Sequence, residues 1–501
     1  MLLLKKVKRL LSGACVMSLS TTLLLAGCGT SDDGRAAVDG DSPFPISMAI
    51  VQVGEIPESG DVEKAIEEYT NTDLSIQWVP SSAYDEKVSV MIASNEMPMI
   101  MKLNYVPIVI SALQSGLFWE LGPYIDDYPN LKAQDPNHYN NISVEGKIYG
   151  IPLFRDMGRA SYNYRSDWLE TLGMELPDNL DEWYELQKAM VQKDPDGNGK
   201  DDTYGFVLDK GYNTGHSAVT TRLAVSIGGV NKWGLVDGKI TPEFMTTPYV
   251  DVLDMFRRMY AEGLINQDFA VMDGTETGKL FDSGRAGLGN AVAQALKSQY
   301  ERLTATDPSY VVDNAAWTGP EGIRLAGEPG HNGFLAIPKQ AVKSEEELKR
   351  VLEFMNALLD EPSSTLLMRG VKDVHYKETD DGRTEFIDFA LFQQQVKPYR
   401  DNLLNIEGYH VKPLKDTPQG EKGTAMAKEN AKYVVPNISL TLTSTTYMER
   451  GNELDLLISD AQTKYIMGQI DEAGWQAEVD KWLKAGGSQV IEEFQASYDA
   501  K

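Results

Sequence analysis

Short apolar strands alternate with amphipathic helices in the first part of this chain, and this alternation most strongly limits its fold. Residues 46–51 predict a strand, and Asp61 caps a predicted helix whose apolar side chains recur on one face. Residues 74–79 alternate as a second strand, residues 84–94 predict a second helix, and residues 99–103 predict a third strand. This strand–helix order predicts an α/β fold with a parallel sheet.

Helix signals continue to the C-terminus. Asn179 caps a predicted helix, and Ser344 with Glu347 forms a capping box for another. From residue 417 the chain is predicted to be mostly helical. Three tryptophans that lie at helical spacing beside aliphatic residues are predicted to be core residues: Trp183, Trp475 and Trp482.

The N-terminus has the three-part layout of a secretory signal. A cationic start precedes an apolar run over residues 10–25, which is short for a spanning helix of about 20 residues. Leu25-Ala26-Gly27-Cys28 resembles the lipobox of bacterial lipoproteins, whose cysteine receives fatty-acyl chains such as palmitate before residues 1–27 are removed. Residues 28–43 then read as a flexible tether. A plain signal peptide and a short uncleaved anchor are the alternatives.

Charge and cysteine content exclude several classes of function. The formal net charge is −27, which repels nucleic acid and anionic lipid headgroups and argues against a polyanionic ligand unless local basic residues bind it. The two cysteines are Cys15, inside the signal, and Cys28, the predicted lipidation site. The mature chain is therefore predicted to have no disulfide and no nucleic-acid partner.

One acidic loop has the spacing of a calcium site. Its oxygen-bearing side chains fall at positions 1, 3, 5 and 9 of an EF-hand-type loop, with a main-chain carbonyl at position 7 and glycine at position 6. Position 12 is Gly205 rather than a bidentate glutamate. An acidic turn without metal is the alternative; if Ca²⁺ binds, a structural role is expected. The predicted ligands are Asp194, Asp196, Asn198, Lys200 and Asp202.

Enzyme signatures are absent, so the chain is predicted not to be an enzyme. It has no nucleophile elbow, no zinc-protease motif and no phosphate-binding loop. The histidines are isolated in sequence. A glycosidase stays open as an alternative, because its two carboxylates need not be adjacent in the chain.

Three residues are candidates for ligand contact from their local setting. Arg155 and Asp156 follow Pro152 at a predicted strand end, where ligand sites of α/β folds usually lie. The pair can bind hydroxyls or form a surface ion pair. Trp317 lies in a loop-like stretch, where an aromatic ring can stack on the apolar face of a sugar.

The chain resembles the extracellular solute-binding proteins of ABC transporters, family 1, particularly the LplA-like lipoproteins of Gram-positive bacteria. Each motif is weak alone, but their order along the chain is specific. Besides the lipobox, they are Gly146-Lys-Ile-Tyr-Gly-Ile-Pro152, Tyr162-Asn-Tyr-Arg-Ser-Asp-Trp-Leu169, Asp194-Pro-Asp-Gly-Asn-Gly199, Tyr260-Ala-Glu-Gly-Leu-Ile-Asn266, Phe281-x-x-Gly-Arg-Ala-Gly287 and Gly370-Val-Lys-Asp-Val-His-Tyr376.

This resemblance implies a two-lobe, periplasmic-binding-protein-like α/β fold of type II with a ligand cleft between the lobes. Lobe 1 is expected over 44–152 plus 325–372, and lobe 2 over 153–324 plus 373–501. Hinge crossings are expected near 151–154, 318–333 and 370–376. The implied cleft residues are Asn104, Tyr105, Asn213, Thr214, His216 and Tyr447.

The resemblance also implies the function. We expect a monomeric receptor, held through acylated Cys28 on the outer face of the cytoplasmic membrane, that captures an oligosaccharide and delivers it to an ABC permease. Two alternatives share the anchor: a surface glycan hydrolase, and a solute sensor for a membrane kinase. A hydrolase would turn the glycan over, whereas a receptor returns it unchanged.

Overall fold

A computed structural model describes residues 42–52, 56–57 and 60–500, and strands alternate with helices over most of this length. The strands are β1 (Phe44–Gln52), β2 (Thr72–Pro80), β3 (Ile100–Leu103), β4 (Gly150–Phe154), β5 (Ala160–Arg165), β6 (Tyr204–Phe206), β7 (Trp233–Val236), β8 (Lys239–Pro242), β9 (Ala286–Val292), β10 (Val312–Ala315), β11 (Thr318–Gly319), β12 (Gly322–Ile323), β13 (Leu325–Ala326), β14 (His331–Ala336), β15 (Tyr376–Glu378), β16 (Thr384–Phe386) and β17 (Val434–Val435).

The helices cover the two larger sheets that these strands build. They are α1 (Asp61–Thr70), α2 (Tyr84–Ser94), α3 (Pro107–Gln114), α4 (Pro129–Lys132), α5 (Pro136–Asn140), α6 (Ser166–Leu172), α7 (Leu180–Gln192), α8 (Val219–Ser226), α9 (Thr247–Ala261), α10 (Gly274–Asp282), α11 (Leu296–Thr306), α12 (Glu345–Ala357), α13 (Glu361–Arg369), α14 (Phe389–Gln395), α15 (Lys397–Arg400), α16 (Pro418–Asn430), α17 (Thr445–Ile466), α18 (Glu472–Trp482) and α19 (Ser488–Asp499).

The first sheet has five strands in the order β2-β1-β3-β14-β4. Strands β2, β1 and β3 are parallel, as the strand–helix alternation predicts. Strand β14 runs antiparallel to both of its neighbours. The sheet is therefore mixed rather than parallel, because β14 enters it only after the chain has passed through a second sheet.

Both faces of the first sheet are covered, since strand side chains alternate between faces. In β1, Ile46, Met48 and Ile50 belong to a core with apolar residues of α12, α14 and α15. Ala49 belongs to the core on the other face, with residues of α2 and α3. The sheet is thus a buried layer between helices.

The second sheet has four strands in the order β10-β5-β9-β6. A large core joins it to α7, α9, α17 and α18, and a smaller core joins it to α10 and α11. The predicted core positions of Trp183, Trp475 and Trp482 are confirmed, because all three are buried in the large core.

Three connections join the two cores. The first is residues 155–159, directly after β4, so the predicted hinge at 151–154 is itself strand. The second, residues 316–330, overlaps the prediction. The third differs from the expected 370–376: His410 still contacts the main-chain carbonyl of Leu359 in the first core, and Asp416 then pairs with Lys297 of the second. The helices α14 and α15 therefore pack with the first sheet, although they fall within the predicted lobe 2.

Residues from Pro43 onward form one compact unit. No helix in the described part of the chain combines the length and apolar character needed to cross a membrane. The predicted signal, Cys28 and most of the tether lie outside the described residues.

Candidate ligand cleft

A cavity of about 370 Å³ lies where the chain returns from the second sheet to the first. It is bounded by the segment 213–216, the 327–329 connection and one side of α17 between Tyr447 and Gln462. Its aromatic and polar lining side chains are Asn213, Thr214, His216, Asn231, Lys232, Trp233, Glu243, Phe244, Asn437, Ser439, Tyr447, Asp455, Ser459, Gln462 and Trp482. A larger depression of about 730 Å³ beside α16 contains none of the predicted binding residues.

Aromatic rings and a carboxylate meet in this cavity. The Tyr447 hydroxyl donates to Asp455 Oδ2 at 2.8 Å. Burial raises the pKa of both groups, while the hydrogen bond and then Lys232 oppose the increase at Asp455. Trp482 is buried against the cavity, and its Nε1 has no hydrogen-bond partner among the described residues. An apolar lining with a few convergent polar groups is typical of a small-molecule site.

Asn213 and His216 both line the cavity, but their side chains make different contacts. The Asn213 amide donates to Ser459 Oγ at 3.1 Å and to Gln462 Oε1 at 2.5 Å, so it fastens the 213–216 segment to α17. His216 is exposed, with Nε2 4.0 Å from Glu328 Oε2. Four predicted cleft residues therefore line one cavity: Asn213, Thr214, His216 and Tyr447.

The predicted residues on the first sheet lie apart from this cavity. Asn104 donates to Asp85 Oδ1 at 3.0 Å. The Tyr105 hydroxyl donates to the carbonyl of Ser143 at 2.8 Å, and burial raises its pKa to about 12. Tyr105 thus has a packing role in addition to any role at the cleft.

Arg155 and Asp156 follow β4 in the first connection. The Arg155 side chain forms no hydrogen bond or ion pair with any described residue. Asp156 instead accepts from Gln294 Nε2, beside the second sheet, at 2.7 Å. The surface ion pair that the sequence left open is not formed.

A buried carboxylate, Glu328, ties two connections together, and sequence reasoning missed it. Its Oε1 lies 3.2 Å from Nη2 of the fully buried Arg222, and its Oε2 lies 3.6 Å from Arg159 Nη1. Its main-chain N–H donates to the carbonyl of Met157 at 3.0 Å. Burial lowers the pKa of Arg222 to about 10, and Glu328 opposes that decrease. The group comes from separate segments, so no local motif could reveal it.

Three histidines that are isolated in sequence interact electrostatically in the fold, and one of them, His216, lies beside this carboxylate. Burial, followed by the charges of His138 and His216, lowers the pKa of His331 to about 4. His331 Nδ1 accepts from the main-chain N–H of Gly333 at 3.2 Å, which requires a neutral ring. No group of three or more acidic, histidine or cysteine side chains in the described part of the chain is arranged to hold a metal ion.

The prediction that Trp317 contacts ligand is corrected by its position. The ring is fully buried and packs against Tyr162, Trp183 and Phe206 at centroid distances of 4.9, 5.5 and 6.0 Å. These three rings come from β5, α7 and β6. Trp317 is therefore a core residue of the second sheet, and its surface is not accessible to a ligand.

The acidic loop joins α7 to β6, and several of its oxygens converge. Asp194 accepts the main-chain N–H groups of Asn198 and Gly199 at 3.2 and 2.9 Å. The Asn198 side-chain nitrogen lies 2.7 Å from Asp196 Oδ2 and 3.2 Å from Asp202 Oδ1. A cation in this loop would be bound by carboxylates, by the Asn198 side chain and by a main-chain carbonyl. The predicted ligand set contains all three kinds of ligand. The residues fit the EF-hand-type pattern, with the missing glutamate as the departure.

Two sheets with separate cores, three connections and a cavity at one of them define the class: a two-lobe α/β binding protein. The family model described as bacterial extracellular solute-binding protein matches residues 57–363, more than half of the chain. The chain belongs to this family.

Individual relatives are similar over nearly the full length. Lipoprotein LipO of Bacillus subtilis is 34% identical over 95% of this chain and 96% of its own. The polygalacturonan/rhamnogalacturonan-binding protein YtcQ of the same species is 33% identical over 96% and 97%. A solved solute-binding protein of Bifidobacterium longum infantis, described as HMO-binding, has a TM-score of 0.73 at 16% identity, covering 92% of this chain and 99% of that one. The last likeness shows the shared fold.

Proposed function

We propose that this chain is the surface receptor of an ABC importer and that its ligand is an oligosaccharide. The observation that carries this proposal is the 370 Å³ cavity, where the partly exposed Tyr447 lies among amide, carboxylate and ammonium groups and the buried rings of Trp233 and Trp482 form part of the wall. Aromatic faces can cover the C–H patches of a sugar ring while the polar groups bind its hydroxyls. The names of two similar proteins, YtcQ and the HMO-binding protein, support the same ligand class.

The proposal includes a non-enzymatic role. A glycosidase needs two free carboxyl groups about 5–9 Å apart. In the cavity, Glu243 Oε1 already accepts from Lys232 Nζ at 2.9 Å and from Thr221 Oγ1 at 3.0 Å. Asp455 accepts from Tyr447. These partners favour binding over proton transfer to a glycosidic oxygen.

The location and partners complete the proposal. Cleavage before Cys28 and acylation of its thiol would hold the receptor on the outer face of the cytoplasmic membrane, because two acyl chains give stable anchoring where one does not. The similarity to a lipoprotein, LipO, supports the anchor. A permease in the same membrane would receive the glycan, and ATP hydrolysis would belong to another chain. The receptor itself would act as a monomer.

A thermal-melt screen tests the ligand class. Protein that starts after Cys28 is heated with oligosaccharides, monosaccharides, amino acids and short peptides. A ligand at 100 times its Kd should add about 2.7 kcal/mol to the free energy of unfolding. We expect one glycan class to raise the melting temperature and to be recovered intact. A rise with peptides or amino acids alone would contradict the proposal, and cleavage of the glycan would favour the hydrolase.

We also propose that the loop over residues 194–202 binds Ca²⁺ in a structural role, joining α7 to β6. Added Ca²⁺ should raise the melting temperature, EDTA should reverse this, and Asp194→Asn should abolish the response. The expected gain is about 2.7 kcal/mol at 100 times the Kd. Asp201→Asn, at a non-ligating position of the same loop, is the matched control and should respond like the unmodified protein. An equal response of both variants would exclude the site.

A further inference from the structure

Two basic side chains lie at the carboxyl ends of β3 and β4, two parallel strands of the first sheet that β14 separates. Lys102 is 7% exposed on β3, and the half-buried Arg155 directly follows β4. Neither side chain forms a hydrogen bond or an ion pair with any described residue. A largely buried ammonium group without a partner is costly, so a charged group bound from outside would stabilise it.

Gly333 makes room for the lysine beside the arginine. Strand β14 separates β3 from β4, and Gly333 lies in it with φ +82°. A Cβ at this position would lie 3.4 Å from Lys102 Cε and 2.6 Å from the carbonyl oxygen of Leu103. The stem of Lys102 therefore passes over a strand position that has no side chain. The main-chain N–H of Arg155 donates to the carbonyl of Gly330, in the connection that leads into β14, at 2.9 Å.

The carboxylates whose charges act on Lys102 are already engaged by other groups. Asp401 accepts from Lys397 Nζ at 2.6 Å and from Arg400 Nη2 at 3.0 Å. Asp85 accepts from the Asn104 amide at 3.0 Å. Burial lowers the pKa of Lys102, and the positive charge of Arg155 lowers it further, although Asp401 and Asp85 oppose this. Asp401 and Asp156 favour the charged form of Arg155, but neither forms an ion pair with Lys102 or Arg155.

We propose that Lys102 and Arg155 together bind a carboxylate of the ligand, so that the oligosaccharide is an acidic one built from uronic-acid units. This inference rests on the proposed function and narrows its ligand class. The planar arginine suits a carboxylate geometrically, and the lysine adds a point charge. The pair supplies the local basic residues without which the overall negative charge would repel such a ligand.

Calorimetric titration with a charged and an uncharged form of one glycan tests the inference. The probes are trigalacturonate and its fully methyl-esterified form, which has the same sugar skeleton without charge. We expect the acid to bind at least about 10-fold more tightly than the ester, a difference of about 1.4 kcal/mol. Lys102→Met and Arg155→Gln should each weaken acid binding by about 10-fold or more and leave ester binding within about 2-fold. Lys349→Met, on the exposed face of α12, is the control and should change neither.

Other results would overturn the inference in distinguishable ways. Equal affinity for the acid and the ester would show that these residues do not recognise a carboxylate. An equal decrease in the affinity for the acid and for the ester in the variants would show the same. Binding of neutral glycans alone would exclude an acidic ligand but would remain consistent with the proposed function as a glycan receptor. Binding of no glycan, with binding of acetylated triglutamate instead, would remove the proposed function as well. Circular dichroism shows whether both variants are folded. Retained affinity for the ester is a second indication that they are folded.

Discussion

Glu328→Gln should lower the free energy of unfolding by roughly 3–5 kcal/mol, because it leaves the fully buried Arg222 guanidinium without its counter-charge. Arg222 keeps its hydrogen bonds to Asn290 Oδ1 and to the carbonyl of Ala291, both at 2.6 Å, but these acceptors are neutral. For a chain of this size the loss corresponds to a decrease in melting temperature of about 3–5 °C. Denaturant unfolding and differential scanning calorimetry measure both quantities.

Two further variants test whether the loss of stability comes from the unpaired buried charge of Arg222 or from the removal of any charged side chain. Glu328→Gln combined with Arg222→Met removes both charges and should recover part of the stability, since the penalty arises from one buried charge left alone. Glu345→Gln breaks the exposed pair with Lys349 and should cost less than about 1 kcal/mol. A loss below about 1 kcal/mol for Glu328→Gln itself would show that the buried pair does not stabilise the connections.

Trp317→Ala should cost about 3–5 kcal/mol of stability, because it opens a cavity in the core of the second sheet. The ring packs against Tyr162, Trp183 and Phe206, and it has no exposed surface. Glycan affinity, measured at a temperature where the variant is folded, should change by less than about 3-fold, since no binding contact is removed. Unfolding calorimetry and titration of the same sample measure the two effects.

Trp317→Phe is the control for this substitution. It keeps an aromatic ring in the cluster and removes an Nε1–H that has no partner among the described residues, so its cost should be well below that of alanine. Unchanged stability together with lost glycan affinity in Trp317→Ala would contradict the role of Trp317 as a core residue. That result would instead support the ligand contact that the loop-like sequence around Trp317 suggests.

Features determined by neighbouring residues were predictable from the sequence. Asn179 Oδ1 accepts from the Glu182 N–H at 3.0 Å, and Ser344 Oγ accepts from the Glu347 N–H at 3.1 Å, so both predicted caps are confirmed. The first helix shows the limit of such signals. Its N-cap is Gly60, without a side-chain bond, and the predicted cap Asp61 is already helical.

Features assembled from distant segments were not predictable. The direction of β14 depends on where the chain re-enters the first sheet, and local patterns do not encode it. The local sequence around Trp317 is typical of a loop, but residues of β5, α7 and β6 surround its ring in the folded chain. Glu328 and the three nearby histidines meet across separations of up to about 190 residues, as in the contact of His138 Nδ1 with the Gly330 carbonyl at 2.7 Å. A single sequence contains no periodicity that relates such positions.

The most direct test of the central claim is a calorimetric titration of the glycan that gives the largest melting shift, with analysis of the glycan afterwards. The unmodified protein should bind one equivalent and return the glycan intact. Tyr447→Ala should weaken binding by about 30-fold, the equivalent of about 2 kcal/mol for a buried aromatic contact. Tyr498→Ala, at an exposed tyrosine of α19, should leave the affinity unchanged. An unchanged affinity in Tyr447→Ala, or a cleaved glycan, would contradict the assignment of this cavity as a receptor site.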